Sequence, residues 1–92
     1  MGRMNWKSRN DIETLFVNGE KVATLSYDYE HRVWDGWCSV GNKLGMHYFE
    51  PKKSKEAVRA DIERYVNTNL PKVLEGASAN KRRQEAYRIA YL

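Results

Sequence analysis

Ile12-Glu13-Thr14-Leu15-Phe16-Val17-Asn18-Gly19-Glu20-Lys21-Val22-Ala23-Thr24-Leu25-Ser26-Tyr27 is the stretch whose reading decides the fold class. Two runs rich in β-branched and aromatic residues flank Asn18-Gly19, a pair that readily takes the positive φ angles of a type I′ turn, so the stretch predicts a β-hairpin. Closing a two-residue turn pairs Leu15 with Val22 and Ile12 with Leu25. Side chains alternate across a strand, and this register places Ile12, Phe16, Ala23, Leu25 and Tyr27 on the expected core face. Glu13, Thr24 and Ser26, with Leu15, Val17 and Val22, fall on the opposite, mostly wet face.

Reading onward, residues 28–32 form a polar connection. Residues 33–40 hold Asp35-Gly36 between Trp34 and Trp37, read either as a second tight turn or as a kink leading into a strand. Residues 41–45 carry turn residues and 46–49 are strand-like, so a second hairpin follows the first. The expectation is an α+β fold with a four-stranded antiparallel meander. Pro51 closes the strand region, and Ser54 is placed to cap a helix. Val58, Ile62, Tyr65 and Val66 recur at helical spacing, predicting one long helix over residues 55–69, about 22 Å of cover for the sheet at 1.5 Å per residue. Leu70-Pro71 stops it. Residues 76–79 read as a loop, and a second, C-terminal helix starts near Asn80, with Ala86, Ile89 and Ala90 packing inward.

Ninety-two residues allow one domain, expected over residues 11–92, preceded by a basic N-terminal arm over residues 1–10. With 41% hydrophobic and 30% charged residues, composition excludes wholesale disorder. No apolar run approaches the roughly 20 residues of a spanning helix and no leader-like segment opens the chain, so no membrane partner is expected. The lone Cys38 has no intramolecular disulfide partner, which suits a reducing, cytoplasmic location.

The net charge of +4 is unevenly spread. Residues 1–10 hold Arg3, Lys7 and Arg9 against no acid; residues 11–50 hold three basic and seven acidic residues; residues 51–92 hold ten basic and five acidic. A phosphate-bearing partner would therefore meet the ends of the chain before the acidic middle. Nine residues become candidates for binding a partner or nucleic acid. Trp6, set among the arm's cations, is either an aromatic anchor or part of a disordered terminus. Lys52, Lys53, Lys55 and Arg59 cluster at the start of the first helix, and Lys81, Arg82, Arg83 and Arg88 lie on the second. Their bland reading is a solvated helix face with Arg59–Glu63 and Lys81–Glu85 pairs, but three adjacent cations at residues 81–83 cannot all be neutralised by Glu85.

Catalytic constellations are weaker. Cys38 pairs directly with His47 if Asn42-Lys43 is the turn, and with Tyr48 if the loop runs from Gly41 to Gly45; only the first makes a thiol–imidazole dyad. Cys38, His31 and His47 lack the close ligand pairs of a metal site, no glycine-rich phosphate loop occurs, and no cofactor is expected. Tyr27, Tyr29, Trp34, Trp37, Tyr48 and Phe49 lie on or near strands, where they serve either core packing or base stacking, and packing is favoured.

The order of an Asn18-Gly19 hairpin, a strand around Trp37, a Gly-rich turn, an aromatic strand ending at Phe49 and a helix opened by Ser54-Lys55-Glu56-Ala57-Val58 resembles small stand-alone phage anti-defence proteins, anti-CRISPR proteins among them. That resemblance implies a non-enzymatic protein that docks on and inhibits a host nucleic-acid-processing or defence complex, its partner a host protein or ribonucleoprotein. The four-strand-plus-helix unit also looks like the repeat of the Whirly and PUR single-strand binders, from which the acidic strands depart. The competing expectation is a regulator that binds the DNA or RNA backbone through its basic helix faces.

Overall fold

A computed structural model of the chain describes residues 4–40 and 45–90, and for Tyr87, Ile89 and Ala90 the backbone only. Five strands, β1 (Met4–Arg9), β2 (Ile12–Val17), β3 (Glu20–Asp28), β4 (Val33–Val40) and β5 (Gly45–Tyr48), precede two helices, α1 (Lys55–Thr68) and α2 (Leu70–Ala90). The strands form one antiparallel sheet in the order β1-β2-β3-β4-β5. The fold is α+β as expected, with one strand more than four.

That extra strand is the segment expected to be a basic arm. Met4–Arg9 pairs with β2 along its whole length, from Met4 opposite Val17 to Arg9 opposite Ile12, so residues 4–10 belong to the domain. Asn10 turns the chain with φ +57°, a left-handed conformation that asparagine tolerates better than most residues. The Asn18-Gly19 turn forms as expected, with φ +52° and +82°.

The register beyond it does not. Val17 opposes Glu20 and Phe16 opposes Lys21, but a bulge follows, and Leu15 then opposes Ala23 and Glu13 opposes Leu25. The extra residue lets Val22 and Ala23 both reach the core. It also exchanges the faces of β2: Glu13, Leu15 and Val17 are buried, whereas Ile12 is 51% exposed and Phe16 half-buried on the other side. Asp35-Gly36 lies inside β4, so the kink-and-strand reading holds over the turn. The turn at residues 41–44 falls outside the described residues, but the β4–β5 register, Cys38 opposite His47, matches the shorter of the two expected turns.

Both helices lie on one face. Val58, Ile62 and Val66 from α1 and Val73 and Ala77 from α2 join Leu15, Val17, Leu25 and Cys38 in a single core. The molecule is 21 Å across its shortest axis, the thickness of a sheet and one helical layer. Ser54 caps α1, its Oγ accepting from the Ala57 N–H at 3.2 Å. Asn69 ends α1, and α2 begins at once, with Pro71 in the first turn where a missing N–H is tolerated. The expected loop at residues 76–79 is instead helical, so α2 is one helix of 21 residues. Glycine there is a packing requirement: a Cβ on Gly76 would lie 2.6 Å from the Val40 amide nitrogen. Gly36 similarly makes room for α1, a Cβ there meeting Ile62 Cδ1 at 2.7 Å.

These two contacts differ in what can yield. Alanine favours a helix over glycine by up to about 1 kcal/mol, yet Gly76→Ala should destabilise the fold, by about 1–3 kcal/mol, because β4 backbone cannot step aside. Gly36→Ala meets the flexible end of Ile62 and should be milder. Urea unfolding of the two variants checks the order, and a Gly76→Ala protein as stable as wild type would contradict it.

Candidate interaction surfaces

The acidic middle of the chain and the basic start of α1 meet inside the fold. Glu13 points from β2 toward the helices and is 4% exposed. Lys55 Nζ stands 2.9 Å from its Oε2, and an Arg59 guanidinium nitrogen 3.0 Å from its Oε1. The Arg59 approach is coulombic rather than an aligned hydrogen bond, since Glu13 Oε1 and Arg59 Nε make no hydrogen bond. The Arg59 guanidinium lies over the Trp6 ring at 4.8 Å, and Lys55 over Trp34 at 5.5 Å. Lys52 makes a separate pair with Asp61 at 2.7 Å. The hydrogen bond from Lys52, and a second from Arg64, hold the Asp61 carboxyl below its ordinary range.

The nine sequence candidates therefore divide. Lys52, Lys55 and Arg59 are engaged with acids of the same chain, and Arg59 pairs with Glu13 rather than the expected Glu63. Trp6 is half-buried against the core, so it is neither an anchor on a loose arm nor disordered. Lys53 is exposed beside them. Lys81, Arg82, Arg83 and Arg88 are all exposed on α2.

Toward its C-terminal end α2 becomes exposed. Asn80 holds α2 to β4, its Nδ2 donating to Ser39 Oγ at 2.7 Å. Beyond it residues 81–86 are exposed in every direction, Ala86 included, against the expectation that Ala86 packs inward. Cations therefore surround the helix rather than forming one stripe.

The face of the sheet away from the helices is a second outward surface. Alternation from the core places Lys7, Thr14, Thr24, Trp37 and Tyr48 there, and the registers align them as one row across all five strands. Tyr48 is 71% exposed and Met46 42%. Of the other aromatics, Tyr27 contacts Trp34 edge-on and Phe49 packs with His47 on Tyr65 of α1, as favoured from sequence, whereas Tyr29 is 69% exposed.

Cys38 and His47 are thus opposite one another, on the helix side. Burial pushes the Cys38 thiol up to about 12, which leaves it protonated at neutral pH and disfavours a nucleophilic role. The His47 ring stacks on Tyr65 at 4.0 Å, in the manner of a core side chain. No group of three or more His, Cys, Asp or Glu that could hold a metal ion occurs among the described residues. None of their helices is long and apolar enough to cross a membrane. No protein-family model, curated protein or solved structure matches the chain.

Two measurements test this arrangement. In a double-mutant cycle, Glu13→Ala and Arg59→Ala should each destabilise, and their effects should be non-additive by about 1 kcal/mol, modest because Arg59 is a third exposed; additive effects would mean the pair is not formed. Cys38 should resist alkylation in the native protein and react on unfolding, and rapid native labelling would contradict its burial.

Proposed function

We propose that this is a non-enzymatic binding protein that docks on a nucleic-acid-processing or defence complex and inhibits it, with the basic end of α2 as its principal contact. The observation that carries this reading is the exposure of Lys81, Arg82 and Arg88 on α2, while Lys55 and Arg59 of α1 are engaged within the fold. Helical segments of this length gain most of their stability from packing. A helical stretch exposed over residues 81–86 leaves surface for a partner, and the cations Lys81 and Arg82 fit an acidic or phosphate-lined one. Size and sheet-then-helix order, as in small phage anti-defence proteins, add support for an inhibitor.

Direct contact with a nucleic-acid backbone through the same cations is the second reading, favoured by the ring-like spread of charge around α2. Salt and nuclease separate the two. Tagged protein should capture a complex from host cells that survives nuclease treatment and lowers that complex's activity when added in excess. A Lys81→Glu, Arg82→Glu variant, changed at exposed positions only, should lose capture by about tenfold or more. Recovery of nucleic acid alone, lost on nuclease treatment and weakening steeply with salt, would replace the first reading with the second. Capture unaffected by the variant would contradict both.

A further inference from the structure

The sheet row Lys7–Thr14–Thr24–Trp37–Tyr48 has no part in that docking, yet it carries features that a solvated face does not need. Strands lie about 4.8 Å apart, so the row extends about 19 Å from Lys7 to Tyr48. Its aromatic end is adjacent and outward: Trp37 and Tyr48 are directly paired on β4 and β5, and Tyr48 is mostly exposed. Thr24 is 8% exposed although no described helix lies over it, so its neighbours Thr14 and Trp37 form a closed surface rather than separate tips.

Charge on this face is also ordered. The next row toward the Asn18-Gly19 turn brings Phe16 opposite Lys21, with Lys7 Nζ 4.9 Å above the Phe16 ring. An open groove of about 650 Å³ runs beside them, lined by Met4, Asn5, Lys7, Phe16, Asn18 and Gly19. These two rows hold cations and no carboxylate. Asp28 and Asp35 lie toward the opposite end of β3 and β4, Asp35 two residues from Trp37, and Glu50 stands two residues beyond Tyr48. Asp28 is further occupied by His31, whose Nδ1 is 2.8 Å from its Oδ2.

We propose that this half of the bare sheet face is a platform for single-stranded nucleic acid, with bases stacking on Trp37 and Tyr48 and phosphates held by Lys7 and Lys21. Exposed aromatics stack any base, and the two lysine-bearing rows hold no carboxylate to repel the backbone. A duplex has its bases already stacked and cannot use the aromatic pair. The inference stands apart from the α2 docking surface and does not depend on it.

Fluorescence anisotropy with short oligothymidylate, oligouridylate and a duplex of matched length tests it, the first two arms separating DNA from RNA. Saturable binding of at least one single strand, well above duplex binding, is expected. Tyr48→Ala, at an exposed position, should weaken it about fivefold or more. Lys7→Ala with Lys21→Ala should make the salt dependence shallower by about 1.4, at about 0.7 per phosphate contact on a single strand. Lys81→Glu with Arg82→Glu should leave most of the affinity in place, so failure here and failure of the docking reading are distinguishable. The proposal is overturned if no single strand binds at low salt, if Tyr48→Ala binds as wild type, or if only the α2 variant loses binding. A dimer abolished by Tyr48→Ala, with no oligonucleotide bound, would equally overturn it and make the face a contact between two copies.

Discussion

A carboxylate that is 4% exposed is tolerable as an ion only with cations close by, and this requirement at Glu13 organises the molecule. Lys55 and Arg59, one turn apart on α1, close on it from above. Because the same cations lie over Trp34 and Trp6, one charged cluster connects β1, β2, β4 and α1. A purely apolar contact would hold the helix as firmly but would be less particular about its position. The ion pairs specify which side of β2 faces the helices, and with it which side of the sheet stays bare.

The functional consequence is a sorting of charge. By sequence, the acidic strands and the basic start of α1 look like two surfaces of opposite sign, each available to a partner. In the folded chain part of that opposition is satisfied internally at Glu13 with Lys55 and Arg59, and Lys52 is taken up by Asp61 of α1 itself. What remains outward is the end of α2 and the lysine-bearing half of the sheet. Glu13 is buried under α1 and Asp28, Glu30 and Asp35 lie toward the β3–β4 turn, while Glu20 stays beside the Asn18-Gly19 turn and Glu50 beyond β5.

Much of the fold was legible because its signals are local. Asn18-Gly19 specifies its turn through backbone conformation, Ser54 and the spacing of Val58, Ile62 and Val66 specify α1, and Pro71 separates the helices. The bulge at Val22 was not legible, since it leaves both strands equally β-like while shifting the register by one residue. That shift is why Glu13 reads as a wet-face acid in the sequence and is a buried anchor in the structure. Strand β1 was hidden by its polarity: only Met4 and Trp6 turn inward, and their alternation with Asn5 and Lys7 before Asn10-Asp11 was the available signal. Gly76 reads as a loop residue in the sequence because glycine marks a loop locally, whereas in the helix it lets two backbones meet. Charge in a sequence does not distinguish a cation facing solvent, such as Lys53, from one facing a buried acid, such as Lys55.

The division of the cations into inward and outward sets is the claim on which the assignment of both surfaces depends. Lysine acetylation followed by residue-level mass spectrometry measures it directly on the native protein. Slow modification at Lys52 and Lys55, beside fast modification at Lys53, Lys21 and Lys81, is the predicted result. Lys55 modified as readily as Lys53 would contradict it, returning the start of α1 to the partner-facing surface.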